Sequence, residues 1–385
     1  MTTGVSRSLA AAVAAGPAPS PIRVLHFHSS AGLFGPERWT LLALRYAEAA
    51  GIQSHVVTLG TKPGYDAFAR FLTARGLPAT HLPFDGRVSV AALRALRALV
   101  VRERIDVVHT HGFKSDVLGW LALRRSGARL VTTTHGWCDH EGGVVRLYEM
   151  IGRRFLRGFH RVLTLTDAQR EAVLQLGIPA TRVRVVPNAV DVHALAQTRA
   201  ARAGRSMGNP FRIVFVGRVV REKGVHDLIA ALPLLGGGVR LVIVGGGGCD
   251  AAASLADRLG VAGAVELAGF REDIRPFLET ADVLALPSYS EGTPRAIMEA
   301  FAAGVPVVAS DIAGVRVLVR DGETGFLVPV GRVDALARAL DRVRHTPALA
   351  AAVAARAHDH ITREHSPERL AENLAREYRD VLEHM

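Results

Sequence analysis

The sequence predicts an α/β protein made of two parallel-sheet domains. Short runs of valine, isoleucine and leucine alternate with longer stretches of helical period, and this alternation pauses once and then restarts. The chain has 385 residues, of which 49% are hydrophobic and 22% charged, so it is too long for one ordinary domain and apolar enough for two cores. We therefore expect two doubly wound domains whose strand carboxyl ends face a shared cleft.

Six apolar runs in the first half predict buried strands. The segments between them have the spacing of amphipathic helices, which indicates a parallel sheet with helical crossovers. We expect this domain to span residues 21–195, after a disordered leader over residues 1–20 whose apolar run is weak and mostly alanine. The runs are IRVLHFH from Ile22, QSHVVTLG from Gln53, DVVHTH from Asp106, RLVTTTH from Arg129, RVLTLT from Arg161 and VRVVPNAV from Val183.

The pattern restarts after a polar, glycine- and proline-containing segment that we predict to be a linker over residues 196–210. A second α/β domain is expected over residues 211–360. A closing helix over residues 361–385 follows, because a Ser-Pro pair precedes apolar residues at helical spacing. The predicted strands of this domain are FRIVFVGRV from Phe211, VRLVIVGGGG from Val239, AVELAGF from Ala264, DVLALPS from Asp282 and VPVVAS from Val305.

Positive charge is concentrated in the first half. Residues 1–205 carry 27 lysines and arginines against 13 aspartates and glutamates, a net charge of +14, whereas residues 206–385 carry 20 and 23, a net charge of −3. A half of this kind can attract nucleic acid, an anionic membrane surface or an acidic substrate. The sequence has no zinc-ligand spacing, RNA-binding aromatic motif or helix-turn-helix pattern, so we expect no nucleic-acid partner.

Other classes are disfavoured by simple features of the chain. Charged residues interrupt every long apolar run, so a membrane-spanning helix is not expected. Cys138 and Cys249 form no C-x-x-C pair, which fits a reducing cytoplasm. The first predicted strand is followed by HSSAGLFG instead of a dinucleotide-binding loop, which disfavours a nicotinamide oxidoreductase.

Two carboxylates eight positions apart are the most informative feature, in SEGTPRAIMEAFAAGVPVVAS. Gly292 and Pro294 predict a loop that holds Glu291 and a helix that begins near Arg295, with Glu299 one to two turns inside it. At ~1.5 Å per residue the pair spans on the order of 10 Å, about the reach from a hexose across a diphosphate to a ribose. A buried lone carboxylate is costly unless it meets hydroxyls or a cation. The pair therefore predicts hydrogen bonds to the two ends of such a ligand.

Cations and backbone amides would bind the phosphates that lie between the two ends of this ligand. The amides of Arg295, Ala296 and Ile297 would point from the helix N-terminus toward an anion. Arg218 and Lys223 follow the strand FRIVFV beside a turn, where two cations suit a diphosphate. The run VIVGGGG lacks the lysine of a P-loop and is a weak phosphate signal by itself.

Taken jointly, these motifs resemble the large retaining glycosyltransferase family of the GT-B fold that uses nucleotide-sugar donors. The resemblance runs from about residue 22 to about residue 345 and includes VVPNAVD, ADVLALPS and DGETGFLVP. It implies that Arg218 and Lys223 bind the donor diphosphate, that Glu299 binds the ribose and that Glu291 binds the donor sugar. It also implies that the loop of Gly269, Phe270 and Arg271 lies beside the base.

The first domain resembles the family less tightly. SSAGLFGPERWT is similar to the family's glycine-rich loop, so Gly35 would allow close approach to the donor phosphate or the acceptor, although Phe34 and Pro36 interrupt the usual run. His135 matches the family's sugar-contacting histidine best, whereas His109 and His111 are more often core or capping residues. In DIAGVRVLV the family usually has Gly-Gly-x-Pro-Glu, so Arg316 and Val317 imply an altered donor-loop contact.

The resemblance implies a mechanism and a setting. The leaving diphosphate of a UDP- or GDP-sugar would help deprotonate the acceptor hydroxyl, with no metal and no other cofactor, and the sequence has no D-x-D motif. The acceptor would be a glycan or a lipid-linked sugar in bacterial surface polysaccharide or glycolipid synthesis. The basic first domain suggests a cytoplasmic protein peripheral to the inner face of the membrane. Two alternatives stay open: a nucleotide-sugar epimerase of the same fold, and a catalytically inactive sugar-nucleotide-binding or basic surface-binding module.

Overall fold

The protein consists of two parallel α/β units, as expected from the sequence. The computed structural model describes residues 20–29, 32, 35–61, 63–84, 89–135 and 154–384. The predicted leader lies outside this part of the chain except for Ser20. The predicted fold class is therefore confirmed for two sheets in which all described strand pairs are parallel.

The first sheet has seven strands in the order β3-β2-β1-β4-β5-β6-β7. Six of them match the predicted runs. The short edge strand β3 was not predicted, because its four residues are all half-buried and form no apolar run. The strands are β1 Ile22–His28, β2 Ile52–Leu59, β3 Ala79–Leu82, β4 Val107–Thr110, β5 Arg129–Thr134, β6 Arg161–Thr164 and β7 Val183–Val185.

Helices flank this sheet and begin where the sequence supplies caps. The side chain of Ser89 accepts a hydrogen bond from the amide of Ala92, and that of Thr166 accepts one from the amide of Gln169. The helices are α1 Gly35–Ala47, α2 Ala67–Thr73, α3 Val90–Arg102, α4 Phe113–Leu123 and α5 Asp167–Leu174, with short 3₁₀ helices at Glu48–Ala50, Leu156–Gly158 and Ala180–Arg182.

The second sheet has six strands in the order β10-β9-β8-β11-β12-β13. Strand β13 was not predicted as a strand, because only three residues of the run Gly-Phe-Leu-Val-Pro pair with the sheet. The strands are β8 Phe211–Val216, β9 Val239–Val244, β10 Val265–Gly269, β11 Val283–Leu286, β12 Val307–Ser310 and β13 Phe326–Val328.

Nine further helices surround or extend this sheet in the described chain. The predicted linker, residues 196–210, contains the first of them. They are α6 Ala196–Arg202, α7 Val225–Leu235, α8 Cys249–Arg258, α9 Arg275–Thr280, α10 Arg295–Ala302, α11 Ala313–Arg316, α12 Val333–His345, α13 Pro347–Glu364 and α14 Pro367–Glu383, with 3₁₀ helices at Arg221–Lys223 and Ala262–Ala264.

The closing helix α14 returns to the first sheet. Leu370, Leu374 and Tyr378 lie in one buried cluster with Ile22 and Trp39. Fully burying a side chain of this size contributes about 1.5–3 kcal/mol. The cluster therefore packs α14 firmly against β1 and α1. The buried Arg161 on β6 adds ion pairs to the α14 residues Glu377, at 2.7 Å, and Asp380.

Each sheet has one place where the direction of strand order reverses, between β1 and β4 in the first and between β8 and β11 in the second. In open parallel sheets, ligands bind outside the strand carboxyl ends at such switch points. Among the described residues, the helices are all too short or too polar to span a bilayer.

Candidate active site

The carboxyl edges of the two sheets face each other. Gly292 follows β11 of the second sheet, and Gln169 follows β6 of the first. A β-carbon on Gly292 would lie 3.9 Å from the side-chain nitrogen of Gln169. A residue after the carboxyl end of β6 therefore lies beside a residue after the carboxyl end of β11, and the two sheets border one cleft, which is where the predicted site residues were expected.

Helix α10 begins at Arg295 and positions the two glutamates as predicted. Pro294 is its N-cap, Glu291 lies in the preceding loop, and Glu299 lies in the second turn. Oε1 of Glu299 lies 2.8 Å from a guanidinium nitrogen of Arg295, one turn earlier on the same helix. Glu299 therefore has a cation partner on its own helix.

Glu291 pairs with Lys223, which comes from a different loop. Oε1 of Glu291 lies 2.8 Å from Nζ of Lys223 and also accepts a hydrogen bond of 2.8 Å from the Ser288 hydroxyl. The side chains of Lys223 and Glu291 are only 17% and 10% exposed. Because water screens these two charges less, the Coulomb attraction between them is stronger than that of a surface ion pair.

The backbone brings Lys223 to this position. Gly224 follows it with φ +68°, and a β-carbon there would lie 1.9 Å from the carbonyl oxygen of Pro287. The amide of Tyr289 donates a 2.8 Å hydrogen bond to the carbonyl of Glu222. The loops after β8 and β11 are thus locked together, and only glycine fits at position 224.

Arg218 is not part of this pair. Its side chain is 70% exposed and lies 3.8 Å from Glu222. The structure therefore brings Lys223, but not Arg218, against Glu291. A role of Arg218 at the diphosphate stays a prediction that would require its exposed side chain to turn toward the ligand.

The glycine run after β9 has a structural purpose that was not predicted from the sequence. A β-carbon on Gly245 would lie 1.7 Å from the carbonyl oxygen of Gly217, and the Gly245 amide donates a 2.9 Å hydrogen bond to the carbonyl of Gly269. The loops after β8, β9 and β10 therefore pack backbone to backbone. In the loop after β10, Phe270 is 73% exposed. Arg271, which follows it, is exposed as well.

The first turn of α10 differs in one respect from the prediction. The amide of Ile297 donates to the carbonyl of Pro294 at 3.2 Å, so it does not point at an anion as expected. In the described structure the amides of Arg295 and Ala296 have no such acceptor. A role of these two amides at a phosphate stays a prediction. The side chains of Ala296 and Ile297 are buried in the core.

A close contact in the atypical donor loop was also missed. A β-carbon on Gly314, in α11, would lie 2.0 Å from the carbonyl oxygen of Glu291 and 2.4 Å from that of Gly292. Arg316, which stands where the family has proline, forms two hydrogen bonds with Asp311 and thereby lowers the pKa of that carboxyl. Gly314 therefore supports the Glu291 loop although the neighbouring positions depart from the family pattern.

Gly35 lies at the start of α1 and is exposed. A β-carbon there would meet no described atom within 4 Å. The close approach of a ligand to Gly35, which the resemblance implies, stays a prediction. Residues 30, 31, 33 and 34 of the same loop lie outside the described residues.

Five histidines converge at the carboxyl ends of β1, β4 and β5, which was not predicted from the sequence. They are His26, His28, His109, His111 and His135. Register explains the convergence, because β1 and β4 pair with His26 opposite His109, and in each segment a second histidine follows two residues later, His28 in β1 and His111 directly after β4.

Within this cluster, His111 connects His26 to His135. Nδ1 of His26 lies 3.1 Å from Nε2 of His111, and Nδ1 of His111 lies 3.1 Å from Nε2 of His135. Burial is the largest cause that lowers the pKa of His26 and of His135 to about 3 and that of His111 well below its usual range. His135 is partly exposed, so its ring lies at the mouth of the cluster.

His109 is a core residue. Its Nδ1 lies 2.6 Å from the Tyr378 hydroxyl on α14 and its Nε2 lies 2.7 Å from the Thr133 hydroxyl. Ring nitrogens of His26, His109 and His111 lie within 4.8 Å of one another, a spacing a metal could use although no metal was predicted. Both nitrogens of His109 and of His111 already have hydrogen-bond partners, however.

Two family models match the two halves of this chain. A family model described as glycosyl transferases group 1 matches residues 197–360, and a glycosyl transferase 4-like domain matches residues 34–189. D-inositol 3-phosphate glycosyltransferases of Mycobacterium bovis and Mycobacterium tuberculosis are 33% identical over 291 residues, which is 68% of this chain. The match covers 60% of the length of those relatives.

Solved structures show the same fold. Anabaena HepE in complex with UDP has a TM-score of 0.81 at 22% identity, over 93% of this chain and 100% of that one. A glycosyltransferase from Rickettsia africae has a TM-score of 0.78 at 17% identity, over 95% and 100%. The chain therefore belongs to the glycosyltransferase 4-like family, with the GT-B fold.

Proposed function

We propose that this protein is a retaining glycosyltransferase that moves a hexose from a UDP- or GDP-sugar to a glycan or lipid-linked acceptor. The observation that carries the proposal is the Lys223–Glu291 pair at the switch point of the second sheet. A shielded cation beside a shielded carboxylate suits a ligand whose phosphate is adjacent to sugar hydroxyls. Lys223 would take the diphosphate and Glu291 the sugar hydroxyls.

The rest of the donor would extend along α10. The amides of Arg295 and Ala296 would meet phosphate oxygens at the helix N-terminus. Glu299 would accept the ribose hydroxyl hydrogen bonds, with Arg295 holding its carboxylate in place. The exposed ring of Phe270 would lie beside the base, in the loop that Gly269 and Arg271 flank.

Catalysis would consist of stabilising the departing diphosphate. Lys223, Arg218 and the helix N-terminus would stabilise the charge that develops as the sugar leaves. The leaving diphosphate would take the proton of the acceptor hydroxyl on the same face of the sugar, so that the anomeric configuration is retained. His135 would contact the sugar from the first domain, and the scheme needs no metal.

The basic first half indicates the nature of the acceptor. Relatives named D-inositol 3-phosphate glycosyltransferase act, by that name, on a phosphate-bearing acceptor. A net charge of +14 over residues 1–205 favours an acceptor that is itself anionic or lies on an anionic surface. This is compatible with surface polysaccharide or glycolipid synthesis at the inner face of the cytoplasmic membrane.

A donor screen tests the proposal. The purified protein is incubated with UDP-, GDP- and ADP-sugars, with and without acceptor candidates, and products are identified by mass spectrometry and by the NMR coupling of the anomeric proton. Arg240→Ala is a matched control for Lys223→Ala, because Arg240 is an exposed ion-pair residue on β9 away from the cleft.

Each outcome separates the alternatives. A glycosylated acceptor with retained configuration, lost in Lys223→Ala but not in Arg240→Ala, supports the proposal. Conversion of one free donor into its epimer without an acceptor would indicate an epimerase. Tight donor binding without conversion of any donor would indicate an inactive binding module.

A further inference from the structure

We propose that His111 and His26 are positioning residues for His135, holding it in one tautomer through a chain of three hydrogen-bonded neutral imidazoles. The inference deepens the proposed glycosyltransferase function, on which it rests, because it concerns the ring nitrogen that His135 offers to the donor sugar. Its structural basis is the unbroken contact from His26 through His111 to His135, at 3.1 Å for each link.

The sheet fixes the spacing of the chain. His26 lies on β1, His111 directly follows β4, and His135 directly follows β5, and these three strands are neighbours in the sheet. The amide of His111 donates to the carbonyl of Phe27 at 3.1 Å, which extends the β1–β4 pairing to the histidine itself. The rings are therefore held by backbone that cannot shift independently of the sheet.

Neutral rings make the chain directional. Burial lowers the pKa of all three rings, so each carries one N–H donor and one nitrogen acceptor near neutral pH. Both links join Nδ1 of one ring to Nε2 of the next. All three rings must then share one tautomer: either each is protonated at Nε2, or each is protonated at Nδ1.

The shared tautomer determines what His135 does at the cleft. Its Nε2 is occupied by His111, so Nδ1 is the nitrogen left for a sugar hydroxyl. Protonation at Nε2 throughout makes that nitrogen an acceptor, and protonation at Nδ1 throughout makes it a donor. The fully buried His26 thereby influences the contact between His135 and the sugar without touching the sugar itself.

Packed side chains surround the chain of three histidines. His28 stacks on His111 with the ring centroids 4.4 Å apart and nearly parallel. His28 is itself held by the buried residues Glu37, at 3.2 Å, and Thr40, at 3.0 Å. Trp39 contacts His135 edge to face at 5.3 Å.

A metal is the competing explanation for the cluster. It would have to displace one of the two hydrogen bonds of His109, to Tyr378 or to Thr133, and one of the two links of His111. The hydrogen-bonded chain accounts for the same distances without that displacement.

The first test uses tautomers and is independent of activity. Long-range ¹H–¹⁵N spectra of the ¹⁵N-histidine-labelled full chain distinguish Nδ1–H from Nε2–H rings, and the single variants His26→Asn, His111→Gln and His135→Asn assign the signals. We expect one shared tautomer for the three wild-type rings at pH 7.5. Different tautomers among the three, or stoichiometric zinc in the purified protein by elemental analysis, would overturn the inference.

The second test is a double-mutant cycle in donor turnover. His111→Ala and His135→Ala should each lower kcat by about tenfold or more and leave the affinity for the free nucleoside diphosphate unchanged. The reason is that a lost or misplaced contact to the sugar slows the reaction. Adding His111→Ala to His135→Ala should cost little more, since His111 acts through His135. His109→Gln, an equally buried histidine outside the chain, is the control for packing damage and should keep kcat near the wild-type value.

The outcomes stay separable from those of the proposed function. Additive losses in the double variant would mean that His111 acts independently of His135, which overturns the inference while turnover itself supports the enzyme. If His111→Ala does not fold, His111→Gln and His26→Asn take its place in the cycle. If no donor is turned over, the proposed function fails, and the tautomer spectra still decide whether the chain exists.

Discussion

The ammonium group of Lys223 lies 2.8 Å from the carboxylate of Glu291, although the two residues are 68 positions apart and come from loops after different strands. The pair is shielded from water and is stabilised further by the Ser288 hydroxyl. A donor that uses both groups would insert between them or share them. Lys223, Glu291 and Ser288 thus hold one another at the cleft by direct contacts.

Lys223→Ala is expected to weaken donor binding and turnover. The change removes a charge-assisted phosphate contact, worth about 1.5–3 kcal/mol, and leaves Glu291 without its cation. Arg218→Ala should have a smaller effect, because Arg218 is mostly exposed. Calorimetric titration with UDP and GDP and a turnover assay measure both, and wild-type values for both variants would refute the diphosphate assignment.

Glu291→Gln and Glu299→Gln are expected to fail differently. Glu299→Gln should weaken binding of the donor and of free UDP or GDP alike, because its hydroxyl partners are on the ribose. Glu291→Gln should leave free nucleotide affinity nearly unchanged and lower turnover, because its partners are on the sugar.

Thermal unfolding of both glutamate variants provides the control, since each carboxylate also holds a cation in the free protein. Equal loss of free nucleotide affinity in two folded variants would mean that the pair does not span the donor.

Gly245→Ala is expected to destabilise the second domain by about 1–3 kcal/mol and to weaken nucleotide binding, because its β-carbon would collide with the Gly217 carbonyl. Gly237→Ala is the matched control, since a β-carbon there meets no described atom within 4 Å. Urea unfolding and titration with UDP and GDP measure the difference. Equal stability of the two variants would show that the glycine loop is not packed as described.

Acid is expected to destabilise the first domain. His26, His109, His111 and His135 have pKa values below that of an unfolded histidine, so their contribution to stability is present above pH 6.5 and is lost as the pH falls below that value, toward about 3 for His26 and His135. Each such proton changes stability by about 1.4 kcal/mol per pH unit in that window. Burial raises the pKa of Asp116 to about 7, so that carboxyl acts in the opposite direction between pH 3.8 and 7.

Two variants test the direction of this pH dependence. Asp116→Asn should make the loss of stability between pH 7 and 5 steeper, and His111→Gln should make it shallower. The tryptophans all lie within residues 39–137, so their fluorescence during urea unfolding reports on the first domain. A stability that is independent of pH in this range would contradict the buried neutral histidines.

The basic first half is expected to bind anionic vesicles. Co-sedimentation with phosphatidylglycerol vesicles should fall as salt rises from ~50 to ~500 mM, because screening lengths shrink below the ~10 Å typical of 0.1 M salt. Neutral phosphatidylcholine vesicles are the control. Equal binding to both compositions, or none to either, would remove the membrane-surface proposal.

The sequence by itself determined the fold class, most strands and the local geometry of α10. These features depend on neighbours in the chain: apolar runs predict strands, and Gly292 with Pro294 sets the start of the helix that separates Glu291 from Glu299. Strand β3 escaped prediction because an edge strand with four half-buried residues has little apolar signal.

Only the tertiary structure decided which distant residues meet. The Lys223–Glu291 pair requires Gly224 to pass against Pro287, and the histidine chain requires the register that sets β1 beside β4. The tertiary structure also places Arg218 away from the Lys223–Glu291 pair and packs Gly245 against the Gly217 carbonyl. Contacts of this kind depend on strand order and loop packing, which local periodicity does not encode, because the same run of residues can pair with any neighbouring strand.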